Sequence, residues 1–222
     1  MTYQNAMMIE PKEFKAPFNW AGVSFLLFMI GIPAIPAIFI VALVVMGSGI
    51  ESPLSEMINA RYFDMPLVII FHGVSGIVFF VTMPFQFSPK LRHTKPRYHK
   101  INGYFAFISA CVMAASGVWM HHVFSPSEFG ARYVSLVIVA IAIFLTFVIA
   151  VKYAIKKDFK QHQRWVYFAA AASLAVVSPL FLEIIAMLMG NVGAELMHGY
   201  GRLIGLVLNL QIAHWLFKKN HS

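Results

Sequence analysis

The chain has 222 residues, of which 59% are apolar and only 12% are charged, and its mean hydropathy is +0.73. Soluble globular domains carry about 25% charged residues, so these values exclude a soluble enzyme and a disordered protein. The formal net charge is +8, but the basic residues lie in short clusters between long apolar runs, which is typical of membrane topology and not of nucleic-acid binding.

Six apolar segments are long enough to cross a bilayer, which requires about 20 residues in a helix. They are residues 20–46, 66–87, 101–122, 131–155, 164–189 and 196–217. The sequence therefore predicts an all-α fold, an integral membrane bundle of six transmembrane helices. Because the connections are short, we expect one domain over residues 1–222 that begins with a polar segment, residues 1–19.

The distribution of Lys and Arg predicts the orientation of the bundle. Only three of the 17 basic residues, Arg61, Arg132 and Arg202, fall at one end. The other fourteen fall at the opposite end: Lys12, Lys15, Lys90, Arg92, Lys95, Arg97, Lys100, Lys152, Lys156, Lys157, Lys160, Arg164, Lys218 and Lys219. The positive-inside rule then places both termini and the two basic loops in the cytoplasm.

Three ionisable residues lie at about the same depth in three predicted spans. His72, Glu183 and Arg202 are each six or seven residues from the outer boundary of their span, hence about 9–10 Å deep at the helical rise of 1.5 Å per residue. Charged groups in a bilayer are costly and mark functional sites by default. We expect Glu183 and Arg202 to form an ion pair, with His72 nearby.

Polar and small residues also recur at helical spacing on two spans. One stripe on the last span is His198, Arg202, Gly205 and Asn209, and a matching stripe on the second span runs from His72 to Gln86. Such stripes indicate faces that point into the bundle. Pro179 predicts a bend in the fifth span, because proline lacks the donor that a continuous helix needs.

Several short motifs resemble a known family. They are the His72–Gly–Val–Ser–Gly76 segment, Pro84–Phe–Gln86–Phe87, Leu91–Arg92, the basic run that ends in His99–Lys100–Ile–Asn–Gly103, the Asp158–Phe–Lys–Gln–His162–Gln–Arg164–Trp165 element and Asn209–Leu210. Together they resemble domain of unknown function 2306, a family of bacterial predicted membrane proteins, over residues 66–215.

The resemblance implies a membrane fold in the bacterial inner membrane and brings no established activity. The sequence departs from the family pattern in the fifth span. The family carries arginines there, whereas Phe168 and Leu180 occupy that neighbourhood in this chain.

The best mechanistic hypothesis from the residues is a b-type haem protein for transmembrane electron transfer. Haem iron in a helical bundle takes two axial histidines from facing helices. His72 with His198 would hold an outer haem, and His99 with His162 an inner one. A quinone or another redox protein is then the candidate partner, beside the lipid bilayer itself.

Two alternatives come from other classes of protein. The first is a transport or proton-relay protein in which His72, Glu183 and Arg202 line a path. The second is a non-catalytic accessory membrane subunit whose polar cluster (His72, Glu183, Arg202, Asn209 and Gln86) only fixes helix packing. The sequence contains no HExxH, GxSxG or glycine-rich phosphate loop.

The predicted topology is tested by cysteine labelling in a Cys111→Ala background. A membrane-impermeant maleimide added to intact cells should modify single cysteines placed within residues 49–61 and spare those within residues 90–95. The reason is the excess of basic residues around the second segment. The opposite labelling pattern would overturn the orientation.

Overall fold

The computed structural model describes residues 17–47, 49, 58–188 and 191–221, and within them every regular element is helical. This confirms the predicted all-α class. In chain order the elements are α1 (Trp20–Met46), α2 (Arg61–Asp64), α3 (Pro66–Thr82), a 3₁₀ turn (Pro84–Phe87), α4 (Pro89–Thr94), α5 (Pro96–Phe124), α6 (Ala131–Ile155), α7 (Phe159–Leu174), α8 (Ser178–Met187) and α9 (Asn191–His221).

Four helical segments are long and apolar enough to cross a membrane: Trp20–Met46, Pro66–Phe87, Pro96–Phe124 and Ala131–Ile155. A fifth span results if α7 and the adjoining part of α8, which meet at a bend of 52°, are taken together. Helix α9 is 31 residues long but is not among these apolar spans. A helical membrane bundle is thus confirmed, while six spans and the orientation stay predictions.

Local sequence signals explain where several helices begin. The side chain of Asn19 caps α1 by accepting a hydrogen bond from the Gly22 N–H at 3.0 Å, and Asp158 caps α7 by accepting from Gln161 N–H at 3.1 Å. Pro66 and Pro96 open α3 and α5, where the missing N–H has no helical partner to lose.

The helices pack in sequence around a core in the middle of the bundle. Helix α1 packs on α3, α3 on α5 and α5 on α6, while α6 contacts both α7 and α9. Phe79 of α3 meets Phe147 of α6 edge to face, with 6.1 Å between ring centroids. The buried alanine run Ala169–Ala172 places the backbone of α7 deep in this core, because small side chains allow close helix approach.

The fifth apolar segment is interrupted between α7 and α8, as Pro179 predicts. Pro179 cannot donate a hydrogen bond to Ala175, and the chain turns between Leu174 and Ser178. Gly205 of α9 packs against this interruption: a Cβ atom at Gly205 would lie 3.3 Å from the Ala175 carbonyl oxygen and 3.1 Å from Ser178 Cβ. Helix α9 therefore follows the bent segment closely because it presents no side chain there.

Asn209 supplies the hydrogen bonds that the interrupted helix has lost. Its Nδ2 donates to the Ala171 carbonyl at 3.2 Å and to Ser178 Oγ at 2.8 Å. The Ser178 hydroxyl lies 3.1 Å from the Leu174 carbonyl and can donate to it. The predicted polar stripe on the last helix thus contains one residue whose role in the structure is to stabilise the bend.

We expect Asn209→Leu to lower the free energy of unfolding by about 1–2 kcal/mol, because it leaves the Ala171 carbonyl and the Ser178 hydroxyl without their donor. The measurement is unfolding of the purified full chain in mixed micelles of dodecyl maltoside and sodium dodecyl sulfate. Gln211→Leu, at an exposed position on the same helix, is the control. If both variants unfold like the wild type, Asn209 does not hold the bend.

Candidate functional site

The end of the bundle that carries most of the lysines and arginines contains a cavity of about 650 Å³, here called the basic-end cavity. The beginnings of α1, α5 and α7, the 3₁₀ turn, α4 and the end of α9 surround it. Its polar lining is Asn19, Gln86, Arg92, His99, His162, Gln163, Tyr167 and Asn220. Among the described residues no carboxylate lines it, so its electrostatic character is neutral to positive.

His99, the fourth residue of α5, carries the least satisfied polar atom of this site. Its Nδ1 is buried and, alone among the buried side-chain nitrogen and oxygen atoms of the described residues, has no hydrogen-bond partner. Arg92 and His162 are its neighbouring basic groups. The backbone carbonyl of His99 accepts from Gln86 Nε2 at 3.3 Å. A buried nitrogen without a partner is costly, so His99 is the histidine of this cavity whose imidazole is least constrained by hydrogen bonds.

His162 faces the same cavity with its tautomer fixed. Its Nδ1 lies 2.9 Å from the Ala150 carbonyl oxygen on α6, and because a carbonyl only accepts, Nδ1 must carry the proton. In the neutral imidazole, Nε2 is then left as an acceptor. Helix α7 begins at Phe159 under the Asp158 cap, which sets the position of His162 in its first turn.

Aromatic rings form much of the remaining wall. Phe87 and Tyr167 meet edge to face with ring centroids 5.1 Å apart. The ring centroids of Phe18 and Trp20 are 4.4 Å apart. The Tyr167 hydroxyl accepts from Asn220 Nδ2 at 3.0 Å, so its own proton can be donated elsewhere. The cavity therefore combines flat apolar walls with a few directed polar groups, which is the usual composition of a small-molecule site.

His72 belongs to a different place. Its Nδ1 lies 3.1 Å from both the Met113 carbonyl and Ser116 Oγ on α5, while the Ser116 hydroxyl can donate to the Val112 carbonyl at 2.6 Å. Gly117 of α5 lies beside the imidazole, where a Cβ atom would stand 3.5 Å from His72 Cε1, an ordinary van der Waals distance. His72 thus ties α3 to α5, ten residues before the end of α3, which is about 15 Å along the helix.

The structure does not join the two histidines predicted for an outer haem. His72 bonds to α5, whereas His198 lines an open cavity of about 820 Å³ with the 127–132 segment. The inner pair, His99 and His162, does share one cavity. Among the described residues no group of three or more His, Cys, Asp or Glu could hold a metal ion.

The expected ion pair between Glu183 and Arg202 is absent, which corrects the prediction. Glu183 is exposed on α8, and Arg202 Nη1 instead donates to the Arg132 carbonyl on α6 at 3.4 Å. The bend between α7 and α8 changes the direction of the segment that carries Glu183, and a depth estimate based on a straight helix cannot include it. The polar cluster therefore divides, with Gln86 in the basic-end cavity, Asn209 at the bend and His72 between α3 and α5.

Sequence analysis missed several lining residues of the basic-end cavity. The sequence uses Arg92 as a topology signal and as part of the Leu91–Arg92 motif but not as a site residue, while Tyr167 and Asn220 carry no assignment. Asn19 had a usable signal, since an asparagine directly before an apolar run is typical of a helix N-cap. Tyr167 lies five residues after His162, a spacing that does not predict a shared cavity by itself.

These features define a helical membrane protein with a cavity of polar and aromatic lining at its basic end. The family model described as "Predicted membrane protein (DUF2306)" matches residues 69–217, and the chain belongs to this family. The resemblance seen in the motifs is thereby confirmed. No curated protein and no solved structure matches the chain.

Because no hydrogen bond or ion pair joins Glu183 to Arg202 in the structure, we expect their effects on stability to be additive. Glu183→Gln and Arg202→Met, alone and together, are compared by thermal unfolding of the full chain in detergent. The coupling free energy should be zero within about 0.3–0.5 kcal/mol, the scatter normal for residues that are not in contact. If the double variant recovers stability that the single variants lose, Glu183 and Arg202 do interact, and the predicted ion pair is correct.

Proposed function

We propose that this protein is a ligand-binding, non-catalytic subunit of the bacterial inner membrane, and that its basic-end cavity binds the head group of a quinone-class lipid. The observation that carries the proposal is the basic-end cavity itself, in which His99 and His162 face aromatic walls. Both termini and this cavity would lie on the cytoplasmic side, as the distribution of basic residues favours.

The lining matches the chemistry of a quinone ring. A quinone presents a flat ring with carbonyl oxygens that only accept hydrogen bonds. Arg92 and the Tyr167 hydroxyl line the cavity and can donate to such oxygens. Phe87 and Tyr167 provide ring faces and edges for aromatic packing.

The depth of the cavity along the membrane normal also suits a lipid ligand. Asn19 and Trp20 begin the first span, and His99 lies in the first turn of the third one, so the cavity lies where polar head groups meet the hydrocarbon. Trp20 has 70% of its surface exposed, as is usual for tryptophan at a membrane interface. A ring held here would leave an isoprenoid tail in the bilayer.

The alternative ligand for this cavity is a b-type haem held between His99 and His162. The Nδ1 of a haem-ligating histidine normally donates to a protein acceptor. His162 has such a bond to Ala150, but the Nδ1 of His99 has no partner. This asymmetry favours a ligand other than a haem held by both imidazoles.

The proposal is tested by titrating the purified full chain in detergent with decyl-ubiquinone while tryptophan fluorescence is recorded, because Trp20 lines the cavity. We expect saturable quenching in the wild type. His162→Leu and Arg92→Gln should each raise the dissociation constant about tenfold, which corresponds to ~1.4 kcal/mol. His198→Leu, at the opposite end of the bundle, should bind like the wild type.

Two outcomes would overturn the proposal. One is quenching that does not saturate, or that is the same in all four proteins, since either result means that the quinone only partitions into the micelle. The other is a Soret band in protein expressed with added haem that disappears in His99→Ala and His162→Leu, because that result would assign the two imidazoles to haem.

A further inference from the structure

We propose that an exposed face of α5, here called the α5 lipid face, binds an anionic phospholipid of the leaflet at the basic end of the bundle. The face begins with two exposed cations and continues with four exposed apolar or aromatic side chains: Arg97, Lys100, Ile101, Tyr104, Phe105 and Ile108. The site is independent of the proposed quinone site, because none of these residues lines the basic-end cavity.

The spacing of these six residues places them on one side of α5. Counted from Arg97, the others follow after three, four, seven, eight and eleven positions, which are the positions that share one face of a helix. The opposite side of α5 lies inside the bundle, where Asn102, Ala106 and Ala110 are buried. The α5 lipid face therefore points away from the bundle, toward lipid.

The length of the α5 lipid face matches one leaflet of a bilayer. From Arg97 to Ile108 the helix rises about 16 Å, and half of the hydrocarbon core of a bilayer is about 15 Å. The Nζ atom of Lys100 lies 6.0 Å from the centroid of the Tyr104 ring, and this pairing of lysine with tyrosine at the end of a span is typical of the membrane interface. The face thus offers cations to a head group and an apolar strip to an acyl chain.

The charge at the beginning of this face favours an anionic lipid. The sequence contains no Asp or Glu between Asp64 and Glu128, and Lys90 and Lys95, which are also exposed, add to the positive charge. Among the described residues, the only carboxylate at this end of the bundle is that of Asp158, which caps α7. Clustered cations at the end of a span attract anionic phospholipids, whereas a zwitterionic head group has no net charge to offer them.

Hydrogen bonds fix the backbone that carries these cations. Asn102 Nδ2 donates to the Thr82 carbonyl at 2.7 Å, and Gln86 Nε2 donates to the His99 carbonyl at 3.3 Å. Cations on a fixed turn lose less conformational freedom on binding than cations on a flexible loop. An acidic peptide or a nucleic acid would use the charges alone and leave the apolar strip uncovered, so a phospholipid is the ligand that uses the whole face.

The test is native mass spectrometry of the purified full chain in detergent that contains phosphatidylglycerol and phosphatidylcholine in equal amounts. In the wild type, bound phosphatidylglycerol should exceed bound phosphatidylcholine about tenfold, which corresponds to ~1.4 kcal/mol. Arg97→Gln/Lys100→Gln should bind the two lipids about equally. The matched control is Lys156→Gln/Lys157→Gln, which removes two exposed charges from the same end of the bundle and should keep the tenfold preference.

Both double variants lose two charges, so a diffuse attraction of anionic lipid predicts an equal loss of preference in the two. That result, or a wild type that binds both lipids equally, would overturn the proposal. Displacement of the bound lipid by excess inorganic phosphate would also overturn it, because the apolar strip would then have no part in binding. If Arg97→Gln/Lys100→Gln does not fold, Arg97→Gln alone replaces it and should lower the preference about threefold, half of the effect on a free-energy scale.

Discussion

The interruption between α7 and α8 is the constraint on which the rest of the bundle depends. A bilayer offers no water to backbone groups that a broken helix leaves free, so the protein itself must bond to them. Asn209 and Ser178 do this from within the bundle. Because Asn209 must reach Ala171, α9 has to lie directly against the bend, and Gly205 makes that approach possible.

The same bend separates the polar groups of the bundle into distinct sites. It leaves Glu183 exposed on α8, while Arg202 on α9 reaches the beginning of α6. Arg202 donates there to the Arg132 backbone carbonyl at 3.4 Å and does not pair with an acid.

Histidines in this protein differ in role because they differ in partners. His72 bonds through Nδ1 to two acceptors on α5 and thereby joins two helices. His162 donates from Nδ1 to the Ala150 carbonyl, which fixes its tautomer and leaves Nε2 as a hydrogen-bond acceptor. His99 keeps a buried nitrogen with no partner. His99 and His162 share a cavity, which therefore holds one imidazole with a fixed tautomer and one without a hydrogen bond at Nδ1.

The amino-acid sequence by itself determined the class of the protein. Apolar segment lengths predicted a helical membrane bundle, the motifs around His72 and His99 identified the family, and Pro179 marked the bend, because each of these depends on residues that are close in the chain. The partners of the polar side chains were decided by the tertiary structure. His99 and His162 lie 63 positions apart in the sequence, and Arg132 and Arg202 lie 70 apart. A depth counted along straight helices wrongly predicted that Glu183 lies beside Arg202. Such a depth takes no account of the rotation of a helix about its axis or of the direction that a helix takes after a break.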